Sequence, residues 1–90
     1  MKRIHVWIQG RVQGVFFRAN TRRKAMDLNL KGWVKNLKDG GVEAVIEGKD
    51  SDVKKMLEFL QKGPLGARVT KFDIKEEKYK GEFEFFEIKY

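Results

Sequence analysis

The beginning of the chain changes from an alternating pattern to a helical one. Over residues 3–10 every second side chain is aliphatic, which predicts a strand with one apolar face; these positions are Ile4, Val6 and Ile8. A loop over residues 10–15 follows. Apolar or small side chains then recur at helical spacing, which predicts a helix from Phe16 to about Leu30. The stripe of this helix consists of Phe17, Thr21, Ala25 and Leu28.

The middle of the chain predicts a β-hairpin. Trp33–Lys38 and Val42–Gly48 are short runs rich in β-prone residues. They are separated by an Asp-Gly-Gly sequence at residues 39–41, in which the glycines accept the positive φ angles of a tight turn without steric cost. Gly32 precedes the first run and is interpreted as the boundary with the preceding helix.

A second helix and two more strands are predicted after the hairpin. The helix has Asp50 or Ser51 as its predicted N-cap and Gly63, which precedes the only proline, as its predicted end. Its apolar stripe consists of Val53, Met56, Leu57 and Leu60. Residues 68–75 alternate apolar or small side chains with charged ones, and residues 83–90 are rich in aromatic ones, so each segment is predicted to be a strand.

The predicted elements follow the order β-α-β-β-α-β. This order is typical of the ferredoxin-like α+β sandwich, in which two helices cover one face of an antiparallel sheet. Residues 76–82 form a polar connection whose conformation the sequence does not define. Because a chain of 90 residues is too short to bury two separate cores, residues 1–90 are predicted to be one domain.

Composition is typical of a compact domain in solution. Hydrophobic residues make up 41% of the chain and charged residues 37%, which argues against disorder. No run approaches the roughly 18 apolar residues of a membrane span, and no signal or transit peptide is visible. The absence of cysteine excludes thiol chemistry and fits a cytoplasmic location. Abundant lysine and glutamate, with little asparagine and glutamine, is typical of thermostable proteins.

The positive charge is concentrated at the start of the chain. The first acidic residue is Asp27, and seven of the 20 basic residues precede it. The remaining 13 basic residues equal the 13 acidic ones in number, so in sequence terms the formal charge of +7 comes from the first third. Such an asymmetry indicates an anionic partner but does not identify the anion.

The loop of residues 10–15 leads into an arginine. Backbone N–H groups in this segment can surround a tetrahedral oxyanion, and Gly14 allows a close approach. Arg18 lies in the first helical turn, where a cation is unfavourable unless an anion compensates. These features predict a phosphate site, although a helix that merely starts after a glycine, with a solvated arginine, fits them too. No Gly-Lys-Ser/Thr follows the glycines, so nucleotide binding by a P-loop is disfavoured.

The remaining polar residues have simpler interpretations. His5 is the only histidine and is interpreted as a strand residue, because no partners for a metal or a nucleophile accompany it. Asp50 and Asp52 are interpreted as the acidic start of a helix. An asparagine near a hairpin, such as Asn36, usually occupies a turn or an edge. The aromatic residues of segment 83–90 are interpreted as core and sheet surface, and no metal site is predicted.

Two motifs resemble the acylphosphatase family, at that family's spacing. They are Gly10-Arg11-Val12-Gln13-Gly14-Val15-Phe16-Phe17-Arg18 and Gly32-Trp33-Val34-Lys35-Asn36, the latter followed by Asp39-Gly40-Gly41-Val42-Glu43. The similarity continues to the aromatic C-terminal strand and so covers essentially the whole chain.

The resemblance implies an enzyme that hydrolyses acyl phosphates to a carboxylate and inorganic phosphate. In this family the residue that matches Arg18 holds the phosphate and the residue that matches Asn36 positions the attacking water, so both are expected to be catalytic. The expected phosphate-binding residues are Arg11, Val12, Gln13, Gly14, Val15, Phe16 and Arg18. Because a carboxylate is a good leaving group, neither a metal nor another cofactor is expected. Phosphate or sulfate is expected to bind as a product-like ligand.

Two other functions use the same order of elements. RNA-recognition domains stack bases on aromatic side chains of their central strands. The run Val42–Gly48 contains two glutamates and no aromatic ring, so no nucleic-acid partner is expected, and composition indicates no membrane partner. A domain of this fold that binds a small ligand without turnover is the second alternative, which fold analogy leaves open.

Overall fold

The computed structural model describes all 90 residues and contains five strands and two helices. In chain order these are β1 (Lys2–Arg11), α1 (Phe17–Asp27), β2 (Lys31–Asn36), β3 (Val42–Gly48), α2 (Asp50–Lys62), β4 (Arg68–Glu77) and β5 (Phe86–Lys89). The strands form one sheet in the order β4-β1-β3-β2-β5. This arrangement confirms the predicted ferredoxin-like α+β class.

The sheet is mixed rather than fully antiparallel. β1 pairs antiparallel with β3 and β4, and β2 with β3, but β2 and β5 are parallel, with Gly32 opposite Phe86 and Lys35 opposite Lys89. β4 and β5 lie at opposite edges of the sheet, so the chain between them must cross it. β4 ends at the same end of the sheet at which β2 begins, and β5 therefore starts there and runs beside β2 in the same direction.

The apolar core lies between the helices and one face of the sheet. The alternation predicted for β1 is confirmed, because Ile4, Val6 and Ile8 are all buried in this core. The other main buried contributors are Val34, Ala44 and Ile46 from the sheet, Phe17 and Ala25 from α1, and Val53, Met56 and Leu60 from α2. Neither helix has the length and apolar character needed to cross a membrane.

Helix α1 is shorter than predicted at both ends. It starts at Phe17 and ends at Asp27, three residues before Leu30. Asn29 adopts a left-handed φ of 57°, and the Leu30 N–H donates to the Ala25 carbonyl at 2.8 Å. This bond closes the last turn in the manner of a Schellman motif, so asparagine stops the helix where the apolar spacing alone would let it continue.

The predicted N-cap of α2 is wrong. Lys49 occupies the cap position with extended backbone angles and makes no side-chain cap hydrogen bond, while Asp50 is already helical. Asp50 and Asp52 instead place negative charge in the first turn, where it interacts favourably with the helix dipole. Gly63 ends the helix as predicted, with a φ of 79°.

The last two strands also differ from their predicted bounds. β4 continues to Glu77, since its pairing with β1 extends to Arg3, and β5 begins only at Phe86. Residues 78–85 form the crossing between the two edges of the sheet. The Lys80 N–H donates to the Glu47 carboxylate at 3.1 Å, which attaches this crossing segment to β3.

Arg3 organises the face of the sheet opposite the helices. Its side chain is buried and donates to Glu77, Glu47 and Glu82 at 2.9, 3.1 and 2.6 Å. Burial by itself lowers the pKa of this guanidinium, but the hydrogen bonds to the three carboxylates outweigh it and raise the pKa above its ordinary value. The hydrogen bonds from Arg3 and from His5 hold the pKa of Glu77 below its ordinary value.

His5 is a strand residue, as predicted, but it also takes part in this ionic network. Its Nδ1 lies 3.0 Å from Glu77 and its Nε2 lies 2.6 Å from Glu43. A neutral imidazole has only one N–H, so both contacts are hydrogen bonds at once only when the ring is protonated. The ring also stacks on Trp7, with 4.0 Å between ring centroids.

Candidate active site

A cleft of about 260 Å³ lies at the end of the sheet opposite the crossing segment, beside the start of α1. It is lined by Gly14, Arg18 and Asn36 and by six hydrophobic residues, namely Val12, Phe16, Phe17, Ala19, Ile88 and Tyr90. The two predicted catalytic residues therefore share one cleft, although 18 positions separate them in the chain.

The loop begins at a β-bulge that requires glycine. The β1–β4 register shifts between Gln9 and Gly10, and Gly10 has a φ of 127°. A Cβ atom there would lie 2.0 Å from the Arg68 carbonyl oxygen, which no side chain can tolerate. Gly10 therefore serves the strand pairing and directs the chain out of the sheet into the loop.

Gln13 connects the loop to the β2–β3 turn. Its Nε2 donates to the Leu37 carbonyl at 2.7 Å and to the Gly41 carbonyl at 2.8 Å. Leu37 directly follows Asn36, so this pair of hydrogen bonds places the loop beside the end of β2. The Nε2 of Gln13 thus braces the loop, and its backbone N–H has no acceptor in the protein.

The backbone of the loop is left-handed at two positions. Gly14 has a φ of 74°, and a Cβ there would meet no atom within 4 Å. Phe16 has a φ of 57° and is the N-cap of α1, with its carbonyl held at 2.9 Å by the Asn20 Nδ2. Residues 12–16 donate no backbone hydrogen bond within the protein, so several N–H groups are available beside the start of the helix.

Arg18 carries an unpaired positive charge into this cleft. No carboxylate lies within ion-pair distance of its guanidinium. The Tyr90 ring lies beside it, with its centroid 4.9 Å from the guanidinium carbon. Helix α1 has no acidic residue in its first turn, so the arginine, the helix N-terminus and the free N–H groups all favour a bound anion.

Asn36 lines the same cleft. It is the last residue of β2 and pairs with Val42 of β3, so its position is set by the sheet. Its Oδ1 is buried and has no hydrogen-bond partner in the protein. A buried acceptor without a partner is costly, and such an atom beside a cleft is typical of a residue with a functional role.

Comparison with known proteins identifies the family of the chain. The acylphosphatase family model matches residues 4–88. The chain belongs to the acylphosphatase family. It is 49% identical to the acylphosphatase of Syntrophus aciditrophicus over 90 residues, which cover 100% of this chain and 94% of that protein. It is 52% identical to the acylphosphatase of Pyrobaculum aerophilum over 89 residues, or 98% of this chain and 94% of that one.

Solved structures agree with the sequence comparison. The crystal structure of acylphosphatase from Bacillus subtilis superimposes with a TM-score of 0.95 at 33% sequence identity, and the match covers 100% of both chains. The predicted family and the predicted enzyme class are therefore confirmed, and the chain is an acylphosphatase.

The predicted phosphate-binding residues have different positions around the cleft. Val12, Gly14, Phe16 and Arg18 line it, whereas Gln13 and Arg11, which is exposed at the end of β1, are not among the lining residues. Val15 packs against the core. Whether any of them binds phosphate stays a prediction.

Four lining residues were not among the predicted site residues, namely Phe17, Ala19, Ile88 and Tyr90. Tyr90 was assigned to core and sheet surface, yet its ring is almost fully exposed beside Arg18. Lys35 lies opposite Lys89 in the parallel β2–β5 pair, which brings the end of β5 beside Asn36. The chain order carries no signal for this parallel pairing. No group of three or more His, Asp or Glu side chains is arranged to hold a metal.

Proposed function

We propose that this acylphosphatase binds the phosphoryl group of its substrate between the loop of residues 12–16 and Arg18. The loop offers unpaired N–H groups around the left-handed Gly14, and Arg18 has no carboxylate partner in the protein. Amide donors and a planar guanidinium together suit the three non-bridging oxygens of a phosphoryl group. As charge develops on these oxygens in the transition state, the preorganised donors stabilise it.

The attacking water is positioned by Asn36. The observation that supports this role is the unpaired, buried Oδ1 of a residue that lines the same cleft as Arg18. A water that donates one hydrogen bond to this oxygen is oriented toward the phosphorus, opposite the leaving carboxylate. No histidine or carboxylate lines the cleft, so the proton of this water passes to a phosphoryl oxygen of the substrate.

The leaving group needs little assistance. Attack of the water on phosphorus breaks the carboxyl–phosphate bond and expels a carboxylate, which is stable without protonation. The products are this carboxylate and inorganic phosphate. A general acid, a metal and a cofactor are accordingly not required by this mechanism. A cytoplasmic location and thermostability stay predictions from composition.

The helix-free face of the sheet is poorly suited to bind RNA, whereas the cleft is suited to bind an anion. On that face the rings of His5 and Trp7 stack on one another, and both nitrogens of His5 contact carboxylates. Glu43 and Glu77 are paired with His5, and Glu47 with Arg3, so these groups are engaged in an internal ionic network. This arrangement favours the phosphate cleft over the RNA-recognition alternative.

The proposed mechanism is tested by release of inorganic phosphate from benzoyl phosphate. Turnover is expected in the presence of excess chelator, and phosphate or sulfate is expected to inhibit competitively because each would occupy the loop and Arg18. A Lys55→Gln variant is a suitable control, since this exposed lysine lies on α2 away from the cleft. A strict requirement for a divalent cation, or inhibition by phosphate that is not competitive, would contradict the mechanism.

A further inference from the structure

The cleft continues as a groove along α1. A second depression adjoins it and shares Ala19 and Ile88 with it. Beyond these two residues the groove is lined by Arg22, Arg23 and Met26, and it reaches Asp27. On a helix, positions 19, 22, 23 and 26 lie on one side, so α1 forms one wall, while Ile88 of β5 contributes the other.

Arg22 is held in place at this groove. Its Nε donates to the Phe86 carbonyl of β5 at 3.2 Å, which leaves the terminal nitrogens of the guanidinium free to donate elsewhere. Neither Arg22 nor Arg23 forms an ion pair with any carboxylate of the protein. An anchored arginine beside a second unpaired arginine is preorganised for an anionic group.

The spacing relates these arginines to the phosphoryl site. Arg22 is one helical turn beyond Arg18, a rise of about 6 Å along the axis. Ala19 and Ile88 provide an apolar surface between the two positions. A short acyl chain that starts at the phosphoryl group would lie over this surface, and its far end would reach the guanidinium of Arg22.

We propose that this groove binds the acyl chain and that Arg22 and Arg23 bind a second anionic group at its far end. The preferred substrates are then acyl phosphates of short dicarboxylic acids or of other acids with a distal anion. This inference rests on the proposed phosphoryl site at Arg18. Asp27 lies one turn beyond Arg23 and would repel an anion placed further along the groove, so short chains are favoured over long ones.

A comparison of succinyl phosphate with butyryl phosphate tests the proposal, because the two acyl chains have equal length and only the first carries a distal carboxylate. Wild-type protein, Arg22→Gln, Arg22→Lys and the double variant Arg22→Gln/Arg23→Gln are measured at low salt. Arg22→Gln is expected to lower kcat/KM for succinyl phosphate by about fivefold relative to butyryl phosphate, and the double variant by about tenfold, which are magnitudes of partly exposed ion pairs. Arg22→Lys keeps the charge but loses the Nε anchor, so an intermediate loss is expected.

The control is Lys55→Gln, which removes the same charge from an exposed position on α2. It is expected to leave the ratio between the two substrates unchanged. The proposal would be overturned if the Arg22 variants lost kcat/KM equally for both substrates, or if Lys55→Gln changed the ratio of the two kcat/KM values as much as they do. Either result would show an effect of the protein's overall charge and not of a distal site. If wild-type protein hydrolyses neither substrate, the phosphoryl site itself is wrong. Hydrolysis of butyryl phosphate without any preference for succinyl phosphate refutes only the distal site.

Discussion

Replacement of Asn36 by alanine should separate activity from stability. The Oδ1 of Asn36 is buried and accepts no hydrogen bond from the protein, so the substitution breaks no hydrogen bond to this atom. If the asparagine is there to hold water, its loss should leave the fold intact while turnover falls. If Asn36 had only a structural role, its replacement would lower stability and leave the turnover of the folded protein unchanged.

The changes in unfolding free energy and in turnover can both be estimated from the structure. A buried polar group without a partner costs about 1–3 kcal/mol in the folded state, and its removal offsets much of the packing lost with the side chain. The free energy of unfolding should therefore change by less than about 1 kcal/mol. Loss of an oriented nucleophile costs about 10²-fold in rate, or about 2.7 kcal/mol in activation free energy. These two values are far enough apart to be distinguished.

Asn36→Asp completes the test because it keeps the shape of the side chain and adds a negative charge. The new carboxylate would share the cleft with Arg18, oppose an anionic phosphoryl group and compete for the guanidinium. Turnover should fall in both variants, whereas the affinity for phosphate should fall clearly only in the aspartate variant.

The assay combines phosphate release from benzoyl phosphate, titration calorimetry with phosphate, and thermal unfolding of each variant. If Asn36→Asp equals or exceeds wild-type turnover, general-base catalysis is the better mechanism and the water-positioning role is wrong. If Asn36→Ala loses activity only in proportion to its unfolded fraction, the residue has a structural role alone.

Three further predictions concern the loop, the arginine and the ionic network. Arg18→Lys should reduce transition-state stabilisation, measured from kcat/KM, by about 2.7–4 kcal/mol, nearly as much as Arg18→Ala, because an ammonium cannot make the bidentate contact. Wild-type kinetics in the lysine variant would show that Arg18 has no role in catalysis. Gly14→Ala should weaken phosphate binding in calorimetry and cost only about 1 kcal/mol of stability, since the added Cβ meets no atom. Gly10→Ala should lower the melting temperature far more, because its Cβ would clash with the Arg68 carbonyl. The pKa of Glu77 is depressed, so its contribution to stability is complete above the ordinary carboxyl pKa and is lost as pH falls through the depressed value. The difference in unfolding free energy between wild type and Glu77→Gln should accordingly shrink in acid, and a constant difference down to low pH would contradict the ion pair.

Local patterns were sufficient for the type and order of the elements. The alternation of Ile4, Val6 and Ile8 placed them correctly in the core, and the Asp-Gly-Gly sequence at residues 39–41 marked the hairpin turn. Element ends were less accurate, because Asn29 and Lys49 decide them through backbone conformations that hydrophobic periodicity does not encode.

The sequence by itself determined the fold class, the family and the residues expected to handle phosphate, because periodicity and short motifs are local properties of the chain. The tertiary structure alone decided what surrounds them. The parallel pairing of β5 with β2 brought Tyr90 beside Arg18, and the contact between α1 and β5 anchored Arg22 on the Phe86 carbonyl. These contacts join segments more than 50 positions apart, and no local pattern specifies the sheet edge on which β5 lies.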